Sequence, residues 1–188
     1  MGRHRTSEPQ PDWAFRFMAL GYRFRDARKS RQDFLQEAGI RPGDTVLDFG
    51  CGAGSYVVTA ARMAGDTGSV FALDMHPLAL EMVTARARKA ELKNVSTVLS
   101  DCDTSLPAHS VDVALLYDIY HDLSDPTAVL RELHRVLKPG GILSSHDHHL
   151  GATQLKEAIE SGGLFRAIRE GELTLTFAPQ GRRNETGS

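Results

Sequence analysis

Val46-Leu47-Asp48-Phe49-Gly50-Cys51-Gly52-Ala53-Gly54-Ser55 decides how this chain is read. An apolar run ending in Asp48 meets glycines at alternate positions, and a helix-compatible run, Tyr56 to Ala64, follows. That order is a strand, a tight turn and a helix N-terminus. Glycine lets the backbone bend sharply and lets a ligand touch the main chain. The turn also points free N–H groups and the positive end of a helix at that ligand. A dinucleotide fingerprint spaces its glycines G-x-G-x-x-G. Here the spacing is G-x-G-x-G, with Asp48 ahead of the first glycine.

Outward from the turn, strand and helix patterns alternate. Strands are expected at Thr45 to Phe49, Val70 to Asp74, Val95 to Ser100, Val111 to Tyr117 and Ile142 to Ser145. Helices are expected at Ser30 to Ala38, Tyr56 to Ala64, Pro77 to Ala90, Pro126 to Leu137 and Thr153 to Ser161. Pro139-Gly140-Gly141 reads as a turn, and Phe165 to Arg169 with Leu173 to Phe177 as a closing antiparallel pair. Alternation of this kind predicts an α/β fold: a three-layer, doubly wound, Rossmann-like sheet of seven mostly parallel strands with an antiparallel last strand. Ligands of such sheets bind at the carboxyl ends of the strands. The expected organisation is a disordered tail over 1–11, a helical cap over 12–41, the main domain over 42–180 and a second tail over 181–188.

At 188 residues, with a formal net charge of −2, the chain has the size of one domain and no global pull toward nucleic acid or an anionic membrane. The Arg-rich stretch from Arg3 to Arg41 is either a solvated helix face or a patch for an acidic group. Two cysteines, no apolar leader and no run long enough to span a bilayer predict a reduced, cytoplasmic protein without membrane insertion.

Asp74 ends the second expected strand, about twenty residues after Gly54, the spacing of a ribose-binding acid. The alternative is an acid serving the helix that Pro77 opens. His146-Asp147-His148-His149 is an unusual tetrapeptide after the fifth strand. It reads as a helix-capping loop, as a base or substrate-orienting group, or as a metal site, and adjacent residues seldom converge on one ion. The candidate catalytic residues, as base or substrate-orienting groups, are His121, His148, His149 and Asp147, with no metal assigned. Cys51 and Cys102 read as packing residues rather than nucleophiles. His109 and His134 read as surface residues.

The glycine turn with Asp48, then Asp74, then Asp101-Cys102 after the third strand, then Leu133 to Gly141 ahead of the fifth, resembles the class I S-adenosylmethionine-dependent methyltransferases, small-molecule, quinone-biosynthesis-like branch. The resemblance covers roughly residues 30 to 178. It implies a cofactor site of Asp48, Phe49, Gly50, Cys51, Gly52, Gly54, Asp74, Met75, Asp101, Cys102, Tyr117 and Tyr22. Within it Asp101 faces the adenine amino group, the Cys102 N–H meets the ring, and Tyr117 lies at the methionine end. Tyr22, Arg25 and Arg28 are the candidates from the N-terminal cap. It implies S-adenosyl-L-methionine as cofactor, S-adenosyl-L-homocysteine as product, and a small-molecule methyl acceptor. Only His146 to Ala152 fills the place where that branch often carries a lid insertion. Substrate selection then falls to the N-terminal helices, the loop after Tyr117 and a partner subunit if a homodimer forms. The competing functions are a non-catalytic cofactor-binding module and an NAD(P)-dependent oxidoreductase, the latter disfavoured by the glycine spacing.

Overall fold

The computed structural model describes residues 31–181. The strands are β1 (Thr45–Phe49), β2 (Ser69–Asp74), β3 (Val95–Leu99), β4 (Val111–Tyr117), β5 (Leu137–His146), β6 (Phe165–Glu170) and β7 (Leu175–Pro179). The helices are α1 (Arg31–Glu37), α2 (Val57–Ala64), α3 (Pro77–Lys89), α4 (Pro126–Val136) and α5 (Ala152–Glu160), with a 3-10 turn at Tyr120–Asp122.

One sheet runs in the order β3-β2-β1-β4-β5-β7-β6. β3 to β5 are parallel, and β7 lies antiparallel to both β5 and β6. Both faces are covered, which is why β1 and β4 read as continuous apolar runs. Val46, Val113 and Leu115 pack toward α1, α2 and α3, while Leu47, Ala114 and Leu116 pack toward α4 and α5. α1 belongs to this core: Phe34 and Leu35 are buried against Tyr56 and its neighbours.

Two departures from the expected elements have local causes. β5 begins at Leu137 rather than Ile142 and runs through Pro139-Gly140-Gly141 as an irregularity, not a turn. Val111 pairs with Leu137 and Val113 with Ile142, so the intervening residues bulge out of the ladder. Lys138 at the bulge grips both oxygens of Asp112 at 2.8 and 2.7 Å, and Asp112 Oδ2 also accepts the Thr45 N–H at 2.9 Å. This ties the starts of β1, β4 and β5 together. β7 begins two residues later than expected because the Leu173 and Thr174 N–H groups donate to the Glu37 carboxylate instead of a strand.

Candidate functional site

The parallel strands end on one edge, and the sequence places acids there. Asp48 lies in β1, Asp74 ends β2, Asp101 follows β3 and Asp118 follows β4. The glycine turn closes over the first two. Gly50, Gly52 and Gly54 have φ values of 72°, 51° and 77°, a region that strains other residues. Close approach matters as much at two of them. A Cβ at Gly50 would lie 2.7 Å from Ile119 Cγ1, and one at Gly54 would lie 2.8 Å from Val83 Cγ2. Gly52 is different, since a Cβ there meets nothing within 4 Å, so its surface is open.

Asp74 is built into the turn. Its Oδ2 accepts the Gly52 N–H at 2.8 Å and its Oδ1 accepts the His76 N–H at 2.9 Å. Burial nevertheless raises its carboxyl above the ordinary range, against the pull of those two N–H groups. Each carboxylate oxygen keeps a second lone pair for a hydroxyl donor. Asp48 is only 2% exposed, and its Oδ2 meets no hydrogen-bond donor among the described residues. Burial, reinforced by the Asp74 charge and opposed by Arg31, pushes its carboxyl up to about 7. Cys51 lies beside them, its thiol driven up by burial and by both carboxylates, so it is not a thiolate.

A cavity of about 950 Å³ opens from this edge, lined by Phe49, Gly50, Asp74, Met75, Asp101 and Cys102 among others, and extends along α4. These cofactor candidates therefore share one space. The Cys102 N–H, expected to meet a ring, donates locally to Ser100 Oγ at 3.1 Å. Tyr117 sits apart in the packing layer. Its hydroxyl bonds Ser144 Oγ at 2.7 Å, and its ring packs on Phe34 and Tyr56. Tyr22, Arg25 and Arg28 lie outside the described residues.

Beyond β4 and β5 three histidines, His121, His148 and His149, come together. His121 Nδ1 meets Asp147 Oδ2 at 2.8 Å, and His148 Nδ1 meets Asp118 Oδ1 at 2.8 Å. The His149 ring lies 4.1 Å from that of His121 and 4.0 Å from that of His148, centroid to centroid. His146 turns away and packs edge-on against Phe34. Burial would raise the Asp147 carboxyl, but the His121 side chain and the His149 and His121 N–H groups outweigh it and hold it low. No group of three or more His, Cys, Asp or Glu among the described residues has metal-holding geometry. His134, expected at the surface, is half-buried against Phe165, with Nε2 2.7 Å from the Gln180 carbonyl.

Two contacts at this edge carry no signal in the sequence. Ile119 fits over Gly50, a contact no local pattern announces. Arg31 stacks 4.6 Å from the centre of the Tyr56 ring and donates to its hydroxyl.

Residues 40–174 match the model of the methyltransferase domain family. The chain belongs to that family. A 2-phytyl-1,4-naphtoquinone methyltransferase of Nostoc sp. is 34% identical over 61% of the chain, and a demethylmenaquinone methyltransferase of Geobacillus stearothermophilus is 29% identical over 63%. The chain spans about half the length of each, 51% in both cases. Among solved structures, a SAM-dependent methyltransferase from Aquifex aeolicus is 28% identical with a TM-score of 0.72, over 79% of this chain and 88% of that one. The Aquifex protein is named for dependence on S-adenosylmethionine, and the residues at this edge fit that cofactor. The molecule presents an ammonium, two ribose hydroxyls and an amino group. The edge offers the buried Asp48 carboxyl with its unpartnered Oδ2, the acceptors Asp74 and Asp101 in the cavity wall, and an open surface at Gly52. No described helix is long and apolar enough to cross a membrane.

Proposed function

We propose that the chain transfers a methyl group from S-adenosylmethionine to a small ring compound of the quinone type, held beside the histidine cluster. The observation that carries the reading is the row of carboxylates Asp48, Asp74 and Asp101 around an open glycine turn. Such a row suits a cationic, donor-rich ligand and repels the pyrophosphate of a dinucleotide. In this reading Asp74 takes the ribose hydroxyls, Asp101 the adenine amino group and Asp48 the ammonium. Phe49, Met75 and Cys102 form the walls, and Gly50, Gly52 and Gly54 permit main-chain approach. When bound, the cofactor supplies an electrophilic methyl whose bonding pair leaves with sulfur. The protein's share is alignment, worth up to about 7–11 kcal/mol. The quinone-type acceptor is supported by what the Nostoc and Geobacillus relatives are named for.

The short connection from β5 to α5, residues 147–150 with Gly151 as N-cap, favours a second reading: a module that binds the cofactor without turnover.

Thermal unfolding with S-adenosylhomocysteine, and with NAD as control, tests the proposal. At a hundredfold excess over Kd the stabilisation should reach about 2.7 kcal/mol with the first ligand only, and Asp74→Ala should largely abolish it. A response to NAD alone overturns the reading. A response to S-adenosylhomocysteine without transfer to any quinol selects the module.

A further inference from the structure

Two strand ends exchange side chains at the carboxyl edge of the sheet. Asp147, just past β5, holds His121 from the loop after β4, and Asp118, just past β4, holds His148 from the loop after β5. A carboxylate can only accept, so Nδ1 donates in each pair, and in a neutral His148 ring that leaves the lone pair on Nε2.

The two Nε2 atoms are not equivalent. That of His121 already faces a second carboxylate, Asp122 Oδ2 at 3.4 Å, and the side chain is 20% exposed. The His148 side chain is 38% exposed, and its Nε2 has no hydrogen-bond partner among the described residues. Asp118 fixes this ring firmly. Its Oδ1 accepts both the His148 N–H at 3.1 Å and Nδ1–H at 2.8 Å, with His146 Nε2 at 3.7 Å. Asp118 itself is held at φ 56° by its own N–H, which donates to the His146 carbonyl at 2.8 Å. Among the described residues the rings of His149 and His121 also face His148.

We propose that His148 is the base that takes the acceptor's proton, that Asp118 is its positioning residue, and that the acceptor accordingly carries an ionisable ring hydroxyl. The proposal rests on the methyl-transfer reading above. In this step the acceptor O–H bond breaks and its electron pair stays on oxygen. The proton bonds to His148 Nε2 and leaves from there to solvent. Asp118 keeps Nε2, not Nδ1, turned to the acceptor and stabilises the imidazolium that forms, the division of roles seen wherever a buried carboxylate orients a histidine base. His121, placed between Asp147 and Asp122, is a fixed electrostatic neighbour.

Two measurements test this. Long-range ¹H–¹⁵N correlation on the cofactor-free protein should find neutral His148 with its proton on Nδ1, and D118N should move that proton to Nε2. Wild-type His148 protonated on Nε2 overturns the proposal. Asparagine adopts positive φ readily, so D118N keeps the backbone. The second measurement is turnover of catechol against 4-nitrocatechol, which is ionised at pH 8 without help. H148Q and D118N should lower kcat on catechol on the order of 10²-fold, with KM little changed, and spare 4-nitrocatechol. Equal losses on both acceptors overturn the role of His148. A wild-type chain that responds to S-adenosylhomocysteine but methylates neither overturns the hydroxyl assignment. A chain with no such response sinks the methyl-transfer reading instead.

Discussion

Asp48 is buried at the edge of the sheet, where its ionisation is costly. A buried carboxylate with an unpartnered oxygen is destabilising when ionised and tolerable when protonated. With its folded pKa near 7 and an ordinary value of 3.8, the unfolded chain ionises first as pH rises. Between about pH 4 and pH 7 the folded state binds the extra proton, so stability attributable to Asp48 falls across that window and levels off above it. Asp48→Asn should therefore stabilise the ligand-free protein at pH 8 by about 2–4 kcal/mol and do little at pH 4, as read from urea unfolding at both values. A gain that is the same at both pH values contradicts an ionised Asp48 at pH 8. The glycine turn and Asp74 were legible because their chemistry is packed into neighbouring positions and one known spacing. The pairing of His121 with Asp147 and of His148 with Asp118 was not, because it joins residues across two loops. The tetrapeptide stood out by composition, yet only the adjacency of β4 and β5 decides which carboxylate meets which ring.

At the scale of elements, the most informative segment is the bulge in β5. A Cβ on Gly141 would come within 2.9 Å of the Asp112 and Val111 carbonyls and 3.1 Å of the Lys138 carbonyl, whereas one on Gly140 meets nothing within 4 Å. Gly141→Ala should lower stability by about 1–3 kcal/mol through overpacking against backbone, and Gly140→Ala should be close to neutral. Equal midpoints in urea for both variants would contradict this account. The pair explains why Pro139-Gly140-Gly141 looked like a turn. Proline and two glycines signal a break in regular backbone, and the ladder does break there, but Leu137 already pairs with Val111 before it. Other strand boundaries were readable to within a residue or two because burial on both faces leaves long apolar runs. β7 was shifted by something no run of residues reveals, the capture of its first N–H groups by a carboxylate on α1.

Across the whole molecule, that carboxylate joins the two ends of the described chain. Glu37 accepts from the Glu172, Leu173 and Thr174 N–H groups and the Thr174 hydroxyl, and the Arg169 side chain donates to the Glu37 carbonyl. Burial would raise the Glu37 carboxyl, but these donors outweigh it and hold it below 4.5. Its contribution is therefore present above that unfolded value and fades as pH falls through the lowered one. Glu37→Ala should cost about 1–3 kcal/mol at pH 7, less at pH 3, and speed hydrogen exchange at Leu173 and Thr174. Unchanged exchange at those amides would show that the hairpin stands without α1.

The position of β7 between β5 and β6 has a consequence for how the chain is made. β6 leaves the ribosome first but has no neighbour in the sheet until β7 arrives, and until then β5 presents a bare edge. At ordinary rates of synthesis the glycine turn waits on the order of ten seconds for the strand that completes its sheet. Throughout that interval the nascent chain holds its cofactor loop on an unfinished scaffold, and whatever shields the edge of β5 from other nascent chains decides how much of the protein reaches its working form.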